Sequence, residues 1–244
     1  MEYGREFEFR DGKIELLVPD VVFPPPDVRR LQDAKQVLLD SALLPEDTPL
    51  YYMYRGVYRK GDQDKFDNSG IRYDITILTS ATIGREFVKT IGHFHPLKPD
   101  RSGTYPEYYE VLWGEALYLL QKNTPDGDVA EIMAVEARRG DKVYIPPGYG
   151  HVTVNPGPDI LVMANLIAAG FRSLYEPFSQ KHGAAYYCVA GQAEPRTFIR
   201  NPRYNNPVEL KVVPASALSQ PADLHGRDLY EAFIAAPDRF KFLV

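Results

Sequence analysis

Hydrophobic and polar residues alternate over short stretches through the middle of the chain. From residue 51 onward, segments rich in Tyr, Ile, Val and Thr are separated by Gly, Pro, Asn and Asp, including the turn-like stretch GDQDKFDNSG. Such alternation predicts strands, and hairpin spacing without intervening helices favours an antiparallel sandwich or barrel over a βαβ fold. The predicted strands are YYMYRGVYRK, IRYDITILTS, REFVKTI, EYYEVL, EALYLLQ, VAEIMAV, DKVYI, HVTV, ILVMANLI, AAYYCVA and RTFIR.

The sequence pattern predicts one helix on either side of this β-rich region. After an extended arm that ends in VVFPPPD, the pattern predicts a helix with Asp27 as N-cap that ends near Leu44. DLYEAFIAA predicts a short second helix, closed by Pro237. The chain therefore divides into an N-terminal arm and helix (1–50), a barrel (51–204) and an extension (205–244) that belongs to the same globular unit.

Composition and charge narrow the function classes. Lys and Arg number 28 against 33 Asp and Glu, and the resulting net charge of −5 argues against a nucleic-acid binder, whose footprint would be basic. MEYGREFEFRDG is too charged for a signal peptide, and no apolar run reaches the length of a membrane span, so we expect a cytoplasmic protein without a membrane partner. Cys188 lies in an apolar setting and is predicted to be a buried structural thiol.

Candidate metal ligands lie in two separate segments. His93 and His95 project from one face of a strand, because side chains repeat every two residues, and Glu107 begins a later strand. Histidine and carboxylate together suit divalent first-row metals, although a His-x-His pair alone is more often packed or exposed without a metal. GDKVYIPPGYGHVTVN adds His151 at the start of another strand. We therefore predict one divalent ion held inside the barrel by His93, His95, Glu107 and His151.

These two segments resemble the two motifs of the cupin superfamily. GDKVYIPPGYGHVTVN matches the second motif at every spaced position, and the first region matches in its His-x-His pair, Glu107 and Gly114. Two departures are visible: Phe87 stands where the family has glycine, and a loop, KPDRSGTYP, lengthens the gap between His95 and Glu107. The resemblance implies a mainly β cupin fold, a double-stranded β-helix or jelly-roll barrel, with an N-terminal helix and a short C-terminal helical extension.

The resemblance narrows to the cupin-type phosphoglucose isomerases. VRRL, TIGHFH, EYYEVLWGEALYLLQ, VYIPPGYGHVTVN and NPRY follow one another as in that family, over residues 27–204. Membership would imply metal-dependent interconversion of glucose 6-phosphate and fructose 6-phosphate, in glycolysis and gluconeogenesis, by a homodimer. Iron as Fe²⁺ is the metal that the resemblance favours, and Mn²⁺, Ni²⁺ and Zn²⁺ also suit the ligand set.

Substrate contacts follow from the same resemblance. It implies phosphate and sugar contacts from Thr76, Thr90, Gly92 and Tyr109; Tyr51 and Tyr175 are further candidates for the cavity wall. Strict alternation would put Thr90 and Gly92 on the face opposite His93. Both sets can line one cavity only if the strand bulges near Gly92, which is a common role of glycine in strands.

Several roles stay open at this level. Glu107 is the candidate catalytic residue, either as a general base that moves a proton through a cis-enediol or as a ligand alone during a hydride shift. Glu110, on the opposite strand face, is predicted to be solvated or structurally paired. The loop residue His182 is not expected to act at the site, and His225 is expected to be exposed or capping.

Two other functions are compatible with this ligand set. One is a different metal-dependent cupin enzyme, a sugar epimerase or dioxygenase; oxygen consumption would identify the dioxygenase. The other is a non-catalytic cupin that binds sugar phosphate, which would show ligand-induced thermal stabilisation without turnover. Fold alone cannot choose among them, because cupins host many activities.

Overall fold

A computed structural model describes residues 7–10, 13–16, 20–40, 45–206, 208–224 and 226–244. Its strands are β1 (Phe7–Arg10), β2 (Lys13–Leu16), β3 (Val21–Val22), β4 (Asp27–Arg30), β5 (Pro49–Arg55), β6 (Tyr58–Arg59), β7 (Ile71–Leu78), β8 (Thr82–Ile83), β9 (Glu86–Phe87), β10 (Glu107–Trp113), β11 (Glu115–Asn123), β12 (Val129–Arg138), β13 (Lys142–Ile145), β14 (Tyr149–Val154), β15 (Leu161–Ala168), β16 (Tyr186–Ala190), β17 (Arg196–Arg200) and β18 (Lys211–Pro214). Its α-helices are α1 (Leu31–Ala34), α2 (Gln63–Ser69), α3 (Glu176–Gln180) and α4 (Leu229–Ala235), and its 3-10 helices are Lys35–Val37, Ala215–Ala217 and Pro237–Leu243.

Two large sheets form the barrel. One has the strand order β13-β10-β15-β7-β5-β4 and the other β14-β11-β12-β18, and every pairing is antiparallel except that of β12 with β18. The chain passes from the first sheet to the second at Gly114, between β10 and β11. Gly114 has φ +82°, and a Cβ there would lie 2.6 Å from the Ile160 carbonyl oxygen, so the tight passage requires glycine. The predicted mainly β, jelly-roll architecture is confirmed.

The six-stranded sheet is buried on both faces, and β7 shows how. Tyr73, Ile75 and Ile77 face outward into an apolar cluster that includes Phe233 of α4. The alternate positions Arg72, Asp74 and Thr76 face the barrel interior and line a cavity. The usual assignment of polar residues to the outside is thus reversed on this strand, because helices cover the outer face and the inner face serves a site.

The predicted helix after the proline cluster is wrong at its start. Residues Asp27–Arg30 form β4, which pairs with β5 at the edge of the six-stranded sheet, so Asp27 is not a helix cap. Helix α1 begins only at Leu31, and its Asp33 carboxylate accepts a hydrogen bond from the Arg30 backbone N–H (2.8 Å). Pairing across an open sheet edge outweighed the helical pattern of a short segment. The predicted end near Leu44 lies outside the described residues.

A second difference concerns the predicted turn GDQDKFDNSG, which contains helix α2. Phe66 of this helix is buried and stacks on Phe233 with a centroid distance of 4.6 Å. The polar segment becomes helical because one large apolar side chain anchors it to the outer face of the sheet, and Gly70 ends it in the left-handed conformation.

Other expectations are confirmed. Cys188 is buried and unbonded, and burial raises the pKa of its thiol to about 12. Helix α4 lies where DLYEAFIAA predicts it, with the Asp228 side chain as N-cap. No helix among the described residues combines the length and apolar character that a membrane span requires.

The predicted arm and extension each add a strand to the barrel sheets. Strand β4 lies at one edge of the six-stranded sheet, and β18 lies at one edge of the other sheet. The extension also reaches the long loop before Glu107, because Lys98 Nζ donates hydrogen bonds to the carbonyls of Phe242 (3.2 Å) and Val244 (2.8 Å). The division at residues 50 and 204 stays a prediction.

Candidate metal centre

The segment that carries His93 and His95 lies against β14. Lys89 pairs with Val154, and His93 pairs with His151 through two backbone hydrogen bonds of 3.1 and 3.0 Å. Three residues lie between these two pairing positions on the first segment and two lie between them on β14, so one extra residue is accommodated on the first segment. This is a β-bulge, and Gly92 within it has φ +79°. The bulge predicted before His93 is confirmed.

The bulge brings the predicted metal ligands together. The Nε2 atoms of His93 and His95 lie 3.1 Å apart. Glu107 Oε2 lies 3.3 Å from Nε2 of His95 and 3.2 Å from Nε2 of His151. One nitrogen or oxygen atom from each of the four residues lies within 4.8 Å of every other. Three elements therefore converge on one point: the bulged segment, the start of β10 and β14.

Surrounding groups orient the ring nitrogens. The Nδ1 of His95 lies 2.8 Å from the Tyr105 carbonyl oxygen and donates a hydrogen bond to it, which turns the other ring nitrogen, Nε2, toward the cluster. Burial lowers the pKa of His151, and burial together with the charges of His151 and His95 lowers the pKa of His93 well below its ordinary 6.5. Neutral imidazoles are the form that binds metals.

The carboxyl group of Glu107 is held ionised. Burial raises its pKa, but close contact with His151 and His95 outweighs burial and holds the pKa well below its ordinary 4.5. Burial, followed by the charge of Glu107, raises the pKa of the neighbouring Tyr109 well above 10. At neutral pH the site thus contains a carboxylate, neutral His93 and His151, and a protonated phenol.

This arrangement fits a divalent cation. Glu107 Oε2 is buried without a hydrogen-bond partner among the described residues, although it lies beside two ring nitrogens. Three ring nitrogens and one carboxylate oxygen face the same small space, and a cation bound there would be coordinated by their lone pairs. With metal–ligand bonds of about 2.0–2.2 Å, only a slight contraction of the cluster is needed.

Three residues of the cluster, His93, Glu107 and His151, line a cavity of about 370 Å³. All five predicted substrate residues line it: Thr76, Thr90, Gly92, Tyr109 and Tyr51. The Tyr51 hydroxyl accepts a hydrogen bond from the Ile91 N–H (3.3 Å), and the Thr90 hydroxyl accepts one from the Thr153 N–H (2.9 Å). The Tyr109 hydroxyl lies 3.1 Å from His151 Nε2. Their contacts with a substrate stay a prediction.

A row of polar residues crosses the cavity wall, and of its members the sequence predicts only Tyr109 to lie at the site. Tyr109, Asn165, Asp74 and Arg55 stand opposite one another on the adjacent strands β10, β15, β7 and β5. Asn165, Asp74 and Arg55 line the cavity together with Arg72. A signal is present in the sequence, since polar side chains at residues 72, 74 and 76 alternate with apolar ones. This alternation identifies cavity residues only once the fold shows that the polar face of the strand lies inside the barrel.

The segment after β15 covers one side of the site. Leu174 pairs with Phe94 through two backbone hydrogen bonds, which places Tyr175 with its ring centroid 5.6 Å from that of His93. Phe171 stacks on Tyr105 at 4.6 Å. Tyr175 lines the cavity as predicted.

Three further predictions concern residues away from the cluster. The exposed His182 is absent from the cavity lining, as expected. Glu110 faces away from the cluster, as predicted, and accepts a hydrogen bond from the Leu229 N–H (2.6 Å). His225 lies outside the described residues.

Comparison with known proteins identifies a family that this chain resembles over most of its length. Residues 28–204 match the model of the family "Glucose-6-phosphate isomerase". The chain is 31% identical over 183 residues to glucose-6-phosphate isomerase of Pyrococcus horikoshii, covering 73% of this chain and 88% of the relative. The corresponding enzyme of Pyrococcus furiosus is 30% identical over 206 residues, covering 83% of this chain and 96% of the relative.

Solved structures give weaker likenesses. An oxalate oxidase in complex with glycolate shares 20% identity, covering 40% of this chain and 41% of the other, with a TM-score of 0.31. An oxalate decarboxylase of Bacillus subtilis shares 19% identity, covering 53% of this chain and 29% of the other, with a TM-score of 0.36. Both TM-scores are low, and neither likeness bears on the function.

Proposed function

Because the chain belongs to the glucose-6-phosphate isomerase family, we propose that its metal centre interconverts glucose 6-phosphate and fructose 6-phosphate. The single observation that carries the proposal is the convergence of three imidazole nitrogens and one ionised carboxylate beside a cavity that His93, His151 and Glu107 line. At about 370 Å³ the cavity falls within the size range of small-molecule sites. The reaction is an aldose–ketose isomerisation, in which hydrogen moves between C1 and C2 of the open-chain sugar.

His93, His95, His151 and Glu107 are the residues that would hold the ion. A bound divalent ion would supply Lewis-acid polarisation of the neighbouring carbonyl and hydroxyl oxygens. Three neutral histidines and one carboxylate leave a net positive centre, which suits an anionic sugar. We propose Fe²⁺ as the ion, and the donor set also accommodates Mn²⁺, Ni²⁺ and Zn²⁺.

Glu107 is the proposed catalytic residue as well as a ligand. Its carboxylate stays ionised at neutral pH and faces the space where the sugar would bind, so it is positioned to exchange a proton with the sugar carbons. In a hydride-shift route it would act as a ligand only. The Tyr109 hydroxyl keeps its proton, because its pKa is raised, and would donate it in a hydrogen bond to a sugar oxygen.

Thr76, Thr90, Gly92 and Tyr51 complete the proposed substrate contacts. The Thr90 oxygen already accepts a backbone hydrogen bond, which leaves its own proton to be donated to a phosphate oxygen. Gly92 has no side chain to shield its backbone from an anion. A homodimer, as the resemblance implies, and a location in the cytoplasm, as the charged N-terminal sequence predicts, are part of the same proposal.

The test is a coupled assay of both hexose phosphates, with metal content measured on the same samples. Wild-type protein should lose activity on chelation and recover it when a divalent ion is added. His151→Ala should lose bound metal and at least about 100-fold in activity, because a direct ligand should matter as much as the outer groups that tune a metal site. The absence of turnover of either hexose phosphate by metal-loaded wild type would contradict the proposal.

A matched control is available in His182→Asn. His182 is exposed and has φ +57°, a conformation that asparagine tolerates, so this change removes an imidazole away from the cluster without added backbone strain. It should retain wild-type metal content and activity. Equal losses in both variants would show that the His151 effect is not specific to the metal centre.

A further inference from the structure

Arg55 is a cationic side chain in the cavity wall with unused hydrogen-bond donors. It lies at the end of β5 and lines the same cavity as the metal cluster. Its Nε donates to Asp27 (3.0 Å), and its Nη2 lies 3.4 Å from the Met53 sulfur. An arginine has five N–H donors, so the contacts with described residues leave Nη1 and one Nη2 hydrogen without a partner.

The two contacts that Arg55 does make are weak. The side chains of Arg55 and Asp27 are 38% and 58% exposed, and ion pairs at such exposure contribute little. The Met53 sulfur is a poor acceptor. These contacts orient the Arg55 guanidinium, but no buried carboxylate among the described residues accepts a hydrogen bond from it.

Arg72, in the same cavity wall, differs in this respect. Its Nε and Nη2 donate to the two oxygens of Asp74, at 2.7 and 2.8 Å. Asp74 is buried and also accepts from the Gly56 N–H. This closed, bidentate pair occupies the fork of Arg72, so Arg55 is the better candidate for binding an external anion.

Arg55 contacts Met53, which is paired across the sheet with Thr76, one of the predicted substrate residues. Asp27, the other partner of Arg55, stands opposite Met53 on the next strand. The guanidinium thus contacts two members of the row Asp27–Met53–Thr76, and the third member, Thr76, lines the same cavity as Arg55.

We propose that Arg55 is a specificity-determining residue that binds the phosphate group of the sugar, through the N–H donors that face the cavity. This inference rests on the proposed function and adds a residue to it. A planar guanidinium matches phosphate oxygens in a two-point contact. Arg55 would select phosphorylated over free sugar, and it would act on binding rather than on the reacting carbons.

The test compares Arg55→Gln and Arg55→Lys with wild type. Arg55→Gln should raise the KM for fructose 6-phosphate about 10- to 100-fold, as expected for loss of a charge-assisted hydrogen bond, with kcat within about threefold. Inorganic phosphate, as a competitive inhibitor, should weaken by a similar factor. Arg55→Lys keeps the charge without the fork and should give an intermediate KM.

Lys60→Gln is the matched control, because it removes one positive charge from an exposed ion pair with Asp20 that is outside the cavity lining. It should leave KM unchanged. An unchanged KM and unchanged phosphate inhibition in Arg55→Gln, with wild-type melting temperature, would overturn the assignment.

A binding readout separates this inference from the proposed function. Thermal stabilisation by fructose 6-phosphate reports binding without turnover, and it should be smaller in Arg55→Gln than in wild type. If wild type binds but does not isomerise the sugar, the proposed function fails while the Arg55 assignment is still decided by this comparison. If wild type isomerises the sugar and Arg55→Gln binds it equally well, only the Arg55 assignment fails.

Discussion

His93 and His151 take up protons less readily in the folded chain than in the unfolded chain. Burial lowers their pKa values and keeps them neutral in the folded state, which suits metal binding. The same lowering reduces the free energy of unfolding at acidic pH, where the histidines of the unfolded chain are protonated. The neutral state that favours cation binding therefore also makes the stability of the metal-free protein sensitive to acid. Glu107 adds to that sensitivity at lower pH, because its pKa is depressed as well.

We expect the metal-free protein to lose stability as the pH falls below about 6.5, the ordinary histidine value. The unfolded state then binds protons that folded His93 and His151 do not, so the free energy of unfolding falls by up to about 1.4 kcal/mol per pH unit for each of them. Urea unfolding of chelated protein between pH 5 and 7.5 measures this slope. Glu107 contributes only below about pH 4.5, outside the window.

His93→Asn should reduce the pH dependence by one of these two contributions. His182→Asn should leave it unchanged, because His182 is exposed and lies away from the cluster. A free energy of unfolding that is flat from pH 7.5 to pH 5 in metal-free wild type would refute the expected lowering of both histidine pKa values.

At the scale of elements, the bulge at Gly92 determines which side chains share the cavity. The sequence predicts it, because Thr90 and His93 could not otherwise line one cavity, and the structure places both there. The four candidate ligands are also identifiable from the sequence, because His93, His95 and Glu107 match the residue types of one known motif and His151 matches a second motif in its spacing. Asp27–Arg30 is not predictable as a strand, because its pairing with β5 is a tertiary interaction that local periodicity does not report.

Gly92→Ala should destabilise the protein and lower its metal content. A Cβ at this position would lie 2.4 Å from Val152 Cγ2 and 3.0 Å from the His151 carbonyl oxygen, in addition to the cost of φ +79° for alanine, about 1–2 kcal/mol. Any shift of the bulge also moves the adjacent His93. Chemical denaturation and metal analysis of the variant measure both effects.

Gly127→Ala isolates the backbone cost, because Gly127 has the same φ of +79° but a Cβ there would meet no described atom within 4 Å beyond its chain neighbours. It should cost about 1–2 kcal/mol and leave metal content unchanged. Equal destabilisation in the two variants, with metal retained in both, would show that packing around the bulge does not matter.

At the scale of the whole molecule, one sheet separates two apolar clusters with different tasks. The inner cluster lies on the side of the candidate metal centre, and the outer cluster joins the six-stranded sheet to α2, α4 and the 3-10 helix Pro237–Leu243. Hairpin spacing predicts the strands of this sheet other than β4. The inward-facing Arg55 and Asp74 are not predictable in the same way, because the sequence does not show which face of a doubly buried sheet holds the cavity.

Phe233→Ala should therefore reduce stability without affecting catalysis. Phe233 is fully buried in the outer cluster, between Phe66 and Phe240, and its truncation should cost about 3–5 kcal/mol. KM and metal content should stay at wild-type values below the lowered melting temperature. Ile234→Ala, the partly buried neighbour on the same helix, should cost less; a matching loss, or a changed KM in Phe233→Ala, would contradict the separation of tasks.

The contact of Lys98 with Phe242 and Val244 joins the loop before Glu107, which is longer than in the general cupin motif, to the extension after residue 204, which lies beyond the family match. The same loop ends at Tyr105, whose carbonyl orients His95. A few contacts thus connect the extension, through the loop, to His95, one of the four candidate ligands. The loop and the extension are better understood as one accessory to the candidate metal centre, because Lys98 joins them and Tyr105 of the loop contacts His95.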